Sequence, residues 1–284
     1  MLSDTNIREF QKQALQIRID VLEMLVEAGS GHTAGSLGMA DIFTLLYFHT
    51  LRHNPKDPFW PDRDRLILSN GHVAPVLYAA MARAGYFPVS ELKTLRKFGS
   101  RLQGHPHREF LPGVETSSGP LGEGLSQALG MALADRLDNG HNSDKFFFCL
   151  LGDGEINEGN IWEAALHAGK EKPHNLIAIM DRNDIQIDGY THDVMPLEPL
   201  AAKWEAFNWH VQTVNGHDFA ELDAAIEEAK VVNNKPSLII ALTVPGKGVQ
   251  EFERNPFWHG RPPSKEQLQQ AISELKEKFN NEKI

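Results

Sequence analysis

A single cysteine, Cys149, occurs in 284 residues. No intramolecular disulfide can form, which excludes the disulfide-stapled secreted scaffolds and fits a reducing compartment. Cys149 stands inside an apolar run, where a cysteine reads as core filler rather than a nucleophile. Long apolar runs are missing too. None approaches the ~20 residues of a membrane-spanning helix. The opening MLSDTNIREF lacks the apolar stretch of a signal peptide. A cytoplasmic protein without a membrane partner is expected. A basic excess is also absent: 28 Lys and Arg face 38 Asp and Glu, a formal net charge of −10. That balance argues against nucleic acid as a partner and favours solubility. It leaves an anionic ligand open, because a cleft sets its own local potential. Internal repeats, low-complexity tracts and linkers are lacking, so 1–284 reads as one domain, with 280–284 as a frayed tail. What is present is ordinary for a globular protein, 41% apolar and 23% charged residues.

The chain is organised around 146–189, FFFCLLGDGEINEGNIWEAALHAGKEKPHNLIAIMDRNDIQIDG. A continuous apolar run over 146–151 breaks at Gly152-Asp153-Gly154 and predicts a strand buried on both faces. A helical stretch follows over 159–168. A second apolar strand over 176–180 ends in Asp181-Arg182-Asn183. Strand, crossover helix and strand make one βαβ unit. The alternation continues on both sides. A helix is predicted over 7–28, with Ile17, Val21, Leu22, Leu25 and Val26 on one stripe and Gly29 as its stop. Others are predicted over 39–51, 73–84, 90–98, 121–137, 219–231 and 264–279, with Ser90 and Ser264 as caps. Further strands are predicted over 65–69, 210–214 and 236–244. Segments 30–36, 53–64 and 190–198 read as loops. The fold class is α/β, a doubly wound, mostly parallel sheet flanked by helices.

Ligands of such sheets sit at the carboxyl ends of the strands. Asp153 lies at the end of one central strand, and Asn183, about thirty residues on, lies just past the end of the next. A carboxylate and an amide oxygen are hard ligands, suited to Mg²⁺ or Ca²⁺. Mg²⁺ takes few protein ligands and completes its octahedron with phosphate oxygens and water. The glycines beside Asp153 let backbone approach a phosphate, and helix N-termini favour anions. The residues predict a Mg²⁺–diphosphate site. A glycine-rich turn with an unrelated Asn downstream is the plainer alternative. His72 stands where the 65–69 strand meets a helix, on the same ligand edge. Taken singly, His32 is a loop histidine, solvated or capping. Lys247 reads as a solvated loop lysine rather than a phosphate ligand.

Gly-Asp-Gly followed about thirty residues later by Asn resembles the thiamine diphosphate fingerprint. The words around it, GDGEINEG and DRNDIQIDG, resemble the transketolase family. So do SGHTAGSLGMADI, DRDRLILSNGH, the GHP at 104–106, GVETSSGPLGEG and VNGHDFAEL, and the resemblance as a whole covers roughly 5–265. The resemblance implies the diphosphate-binding domain of the thiamine diphosphate-binding fold, with thiamine diphosphate and Mg²⁺ as cofactors; Ca²⁺ could replace the latter. By it, Asp153 and Asn183 hold the cation through their side chains and Ile185 through its carbonyl. The Gly154 amide, His72 and His259 meet the diphosphate, His259 near the reacting carbon. Gly119 and Leu121 meet the aminopyrimidine through backbone atoms. His32 and His105 contact the substrate and, with His259, are the implied catalytic residues. Glu158 matches a glutamate at the subunit contact. His107 reads as surface and His217 as structural.

Full transketolases carry two further domains, one supplying a glutamate to the aminopyrimidine and most of the arginines that grip sugar phosphates. Nothing in this sequence matches them. The resemblance therefore implies the amino-terminal subunit of a split transketolase. It would move a two-carbon ketol unit between sugar phosphates, active only with a C-terminal partner subunit in an α2β2 assembly. The α subunit of a 2-oxo acid dehydrogenase also has GDG and a distant Asn but lacks the combination SGH, SNGH and GHP. A non-catalytic cofactor-binding relative would have lost some of the matched side chains. The sugars themselves are not legible.

Overall fold

The computed structural model describes residues 2–140 and 143–281. Ser3 accepts from the Asn6 amide while Asn6 accepts from Ser3, a reciprocal box that starts helix α1, Asp4–Ala28. Gly29 ends it at φ 64°, a left-handed conformation free of strain for glycine. Ile17, Val21, Leu22 and Leu25 of the predicted stripe are buried.

Two short helices follow, α2 (Ala34–Gly38) and α3 (Ala40–Leu45), ending in a wide turn at Leu46–Thr50. The expected loop over 30–36 thus becomes helical at Ala34, and the expected helix over 39–51 begins at Ala40, after an interruption at Met39 that separates it from α2. The interruption falls where the chain is pressed on its neighbour: a Cβ on Gly38 would stand 3.1 Å from the Val244 carbonyl oxygen. Strand β1 (Arg65–Leu68) and helix α4 (Ala74–Ala84) come next. The helix expected over 90–98 is a 3-10 turn, Val89–Thr94, that starts from Pro88 without a Ser90 cap. Positive φ at Arg96 and Gly99 then turns the chain away. Helix α5 (Glu123–Asn139) starts two residues later than expected, because Gly122 precedes it at φ 85° and leaves Leu121 outside.

Strand β2 (Phe147–Gly152), helix α6 (Gly159–Glu171) and strand β3 (Leu176–Arg182) form the predicted βαβ unit. A small hairpin, β4 (Ile185–Gln186) and β5 (Gly189–Tyr190), follows with a single turn, α7 (Thr191–Val194), inside the segment read as loop. Helix α8 (Leu200–Ala206), strand β6 (His210–Asn215), helix α9 (Phe219–Val231), strand β7 (Ser237–Leu242) and helix α10 (Lys265–Asn281) complete the order. Ser264 caps α10: its hydroxyl accepts from the Gln267 amide, and Gln267 accepts from the Ser264 amide. Helix continues through 280 and 281 where fraying was expected; 282–284 lie outside the described residues.

Five strands pair in parallel in the order β1-β2-β3-β7-β6. Their side chains alternate between two cores. Phe148, Leu150, Ile177 and Ile179 pack with α1, α3, α4, α9 and α10. Phe147, Cys149, Leu151, Ala178 and Met180 pack with α5, α6 and α8. Helices thus cover both faces of a parallel sheet, the doubly wound arrangement. Burial raises the Cys149 thiol pKa well above its usual value, consistent with core filler. Among the described residues no helix is long and apolar enough to cross a membrane.

Candidate active site

Strand register places the site. Gly152 ends β2 opposite Asp181 on β3, and Arg182 lies opposite Leu242 at the end of β7. Turns leaving these carboxyl ends, with the turn after β1, surround a cleft of about 290 Å³. The ten residues to which the resemblance gives a catalytic, cofactor or metal role all line it: His32, His72, His105, Gly119, Leu121, Asp153, Gly154, Asn183, Ile185 and His259.

Asp153 is 1% exposed. Its Oδ1 accepts from the Gly154 amide at 2.8 Å. Its Oδ2 accepts from the Asp184 amide at 2.7 Å and the Arg182 guanidinium at 2.9 Å. Burial raises the Asp153 pKa to about 6 against the pull of Arg182. Asp181 is buried beside it, bonded by the Thr243 hydroxyl and by Asn183 Nδ2 at 2.7 Å. Burial, and after it the Asp153 charge, raise Asp181 to about 7. Asn183 Oδ1 accepts from the Ile185 amide at 2.9 Å and keeps a second lone pair. The side-chain donors at Asp153 and Asn183 are oxygens in an open set. Among the described residues no three His, Cys, Asp or Glu side chains are gathered to hold a metal. An incomplete oxygen set suits a hard cation that draws its other ligands from phosphate and water.

The histidines form a cluster in the same cleft. Ring centroids of His32 stand 5.1 Å from His72, 5.4 Å from His259 and 6.4 Å from His105, and His72 stands 5.1 Å from His259. Burial is the first cause lowering the pKa of each. The neighbouring histidines add to it for His32 and His72, and Arg96 adds to it for His32 and His105. His32 falls to about 4. His105 is the most open of the four. His32 Nδ1 and Asn70 Oδ1 are buried without a hydrogen-bond partner. Asn70 Nδ2 meets only the Met39 sulfur at 3.4 Å, a weak acceptor. An unpaired buried polar atom costs about 1–3 kcal/mol. Both side chains line the cleft, so a polar ligand entering it fits these atoms.

Sequence reasoning missed Asn70, Glu155, Asp181 and Ile187, which also line the cleft. Asn70 sits inside the quoted word SNGH, and Glu155 directly follows Gly154. Both signals were available. Ile187 is 63% exposed at the tip of the β4–β5 hairpin with φ 54°. That conformation is uncommon for a β-branched residue, and no sequence pattern announces it. Glu158 lines the cleft from its exposed side. Lys247 lies elsewhere, in a groove with Gln11, Arg18 and Lys278. His217 is structural, as read. Its Nδ1 is 2.6 Å from Asp41 and its Nε2 accepts from the Val244 amide at 2.7 Å. His107 is half-buried and stacked on Phe110 at 4.4 Å, not a loose surface residue.

Residues 10–282 match the family model described as the transketolase, thiamine diphosphate binding domain. A 6-deoxy-6-sulfo-D-fructose transketolase subunit of Clostridium sp. (strain MSTE9) is 43% identical over 267 residues, 94% of this chain and 96% of that protein. An apulose-4-phosphate transketolase subunit of Actinobacillus succinogenes is 41% identical over 95% of this chain and 96% of its own. Among solved structures, transketolase from Leishmania mexicana matches with a TM-score of 0.88 at 35% identity, over 95% of this chain and 41% of that longer one.

Proposed function

Because the chain belongs to the transketolase family, through that family's thiamine diphosphate-binding domain, we propose that it is the cofactor-binding subunit of a two-chain transketolase. It moves a two-carbon ketol unit from a ketose phosphate to an aldose phosphate, with a C-terminal partner subunit, in an α2β2 assembly. The observation that carries this reading is one cleft joining the open oxygen set of Asp153 and Asn183 to four mutually close histidines. The partner is supported by two relatives named as subunits and matched over 96% of their own length. Their named sugars, one a phosphate and one a sulfo sugar, extend the donor class to ketoses with an anionic tail.

Asp153, Asn183 and the Ile185 carbonyl would hold Mg²⁺, and the Gly154 amide, which here donates to Asp153 Oδ1, would be the backbone donor for the diphosphate. Thiamine diphosphate, when bound, supplies the electron sink for the carbanion left as the ketose carbon–carbon bond breaks. The lowered pKa of each histidine keeps it neutral near pH 7, so each ring offers one donor and one acceptor nitrogen. His72 and His259 donate toward the diphosphate. Gly119 and Leu121 give backbone to the aminopyrimidine. His32 and His105 hold substrate hydroxyls and exchange protons with them through their ring nitrogens.

Replacing Asp153 tests the assignment. In the chain mixed with its partner subunit, Asp153→Ala is expected to abolish two-carbon transfer and Mg²⁺-dependent thiamine diphosphate binding while far-UV circular dichroism is unchanged. Retention of either function by the folded variant would overturn the role of Asp153.

A further inference from the structure

Glu155 plays no part in the reading above, yet three walls of the cleft end on its carboxylate. It is 3% exposed and lines the cleft two residues past Asp153. Its Oε1 accepts from the Ser69 hydroxyl at 2.5 Å and from the Gly122 amide at 2.7 Å. Its Oε2 accepts from the Gly152 amide at 2.9 Å. Ser69 Oγ in turn accepts from the Gly124 amide at 3.0 Å. These donors lie far apart in sequence. Ser69 leads into Asn70 and His72 after β1. Gly122 and Gly124 close the turn that carries Gly119 and Leu121. Gly152 leads into Asp153 and Gly154 after β2. The walls are drawn together closely enough to demand glycine: a Cβ on Gly124 would stand 2.7 Å from Ser69 Cα.

We infer that Glu155 is the positioning residue of this cleft, a buried carboxylate that holds the three walls in register and thereby sets the affinity for thiamine diphosphate with its cation. The inference rests on the cofactor reading of the cleft. Glutamate suits the place because an ionised carboxylate only accepts, with room for three donors on two oxygens. Glutamine keeps the shape but turns one end into a donor. That end must face either the Gly152 amide or the pair formed by Ser69 and Gly122. A backbone amide cannot reverse its polarity, so one wall is released. Aspartate is one methylene too short to reach all three.

The test is calorimetric titration of the chain, assembled with its partner subunit, with thiamine diphosphate in Mg²⁺. It is run on the wild type, Glu155→Gln, Ser69→Ala and the double variant. Glu155→Gln is expected to weaken binding about 10–100-fold, the range of residues that orient ligating groups. Ser69→Ala should weaken it less. The double variant should bind within about twofold of Glu155→Gln, because Ser69 acts through Glu155. Hydrogen exchange at the Gly122 and Gly152 amides, without cofactor, should accelerate in Glu155→Gln. A purely structural role would lower the unfolding midpoint and leave the affinity unmoved, and that result overturns the inference. Full additivity of the two substitutions also overturns it. Should Glu155→Gln fail to fold, Ser69→Ala alone decides: weaker binding supports the inference and unchanged binding overturns it. A wild type that binds no thiamine diphosphate would overturn the cofactor reading, and the inference with it. Wild-type binding matched by the variants would overturn the inference alone.

Discussion

Asp153 and Asp181 bury two carboxyl groups side by side, with the Arg182 guanidinium 2.9 Å from the first. Arg182 also pairs with Asp184 at 2.6 Å, so its charge is shared. The consequence is a pH dependence of known sign. Burial lifts Asp181 from an ordinary 3.8 to about 7, so between those values the native state keeps a proton that the unfolded chain has released. The stability it contributes is full at low pH and is lost as pH rises through about 7. In EDTA, Asp181→Asn is therefore expected to gain in urea midpoint over the wild type as pH is raised from about 5 to about 8. Parallel pH profiles would contradict this. Asp153 and Asn183 could be singled out from the sequence because a glycine turn and an apolar strand frame them. Asp181 was not singled out, because its bonds to Thr243 and Asn183 join strand ends that become neighbours only through the parallel register; Asn70 and Glu155 stood within or beside motif words and were passed over.

Two glycines inside helices separate packing from propensity at the scale of elements. A Cβ on Gly169 of α6 would overlap the Phe207 carbonyl oxygen, where the chain turns between α8 and β6. A Cβ on Gly130 of α5 would meet nothing within 4 Å. Gly169→Ala should cost about 1–3 kcal/mol, as overpacking does. Gly130→Ala should stabilise by roughly 0.5–1 kcal/mol, since alanine is the better helix former. Urea unfolding of the isolated chain reads both, and effects of the same sign would contradict the packing. The central strands and long helices were legible because their apolar periodicity is strong and their ends carry Gly or Ser signals. The short pieces were misread or left without a reading for a physical reason. α2, the 3-10 turn after Pro88 and the β4–β5 hairpin depend on positive φ angles and on close approaches such as Gly38 to Val244, which tertiary contact dictates.

At the scale of the whole molecule, the cleft stands at the carboxyl edge of a sheet clad on both faces. Its rim includes Leu121, 38% exposed, and Ile187, 63% exposed. Apolar side chains presented at the mouth of a polar cleft suit a surface that another chain covers. Such a rim fits the proposed two-chain enzyme, in which the partner subunit would cover the cleft. The most direct measurement is two-carbon transfer from xylulose 5-phosphate to ribose 5-phosphate with thiamine diphosphate and Mg²⁺, using this chain by itself, its partner by itself and the two mixed. Transfer in the mixture only is the predicted result. Transfer by this chain without its partner would contradict the two-chain account.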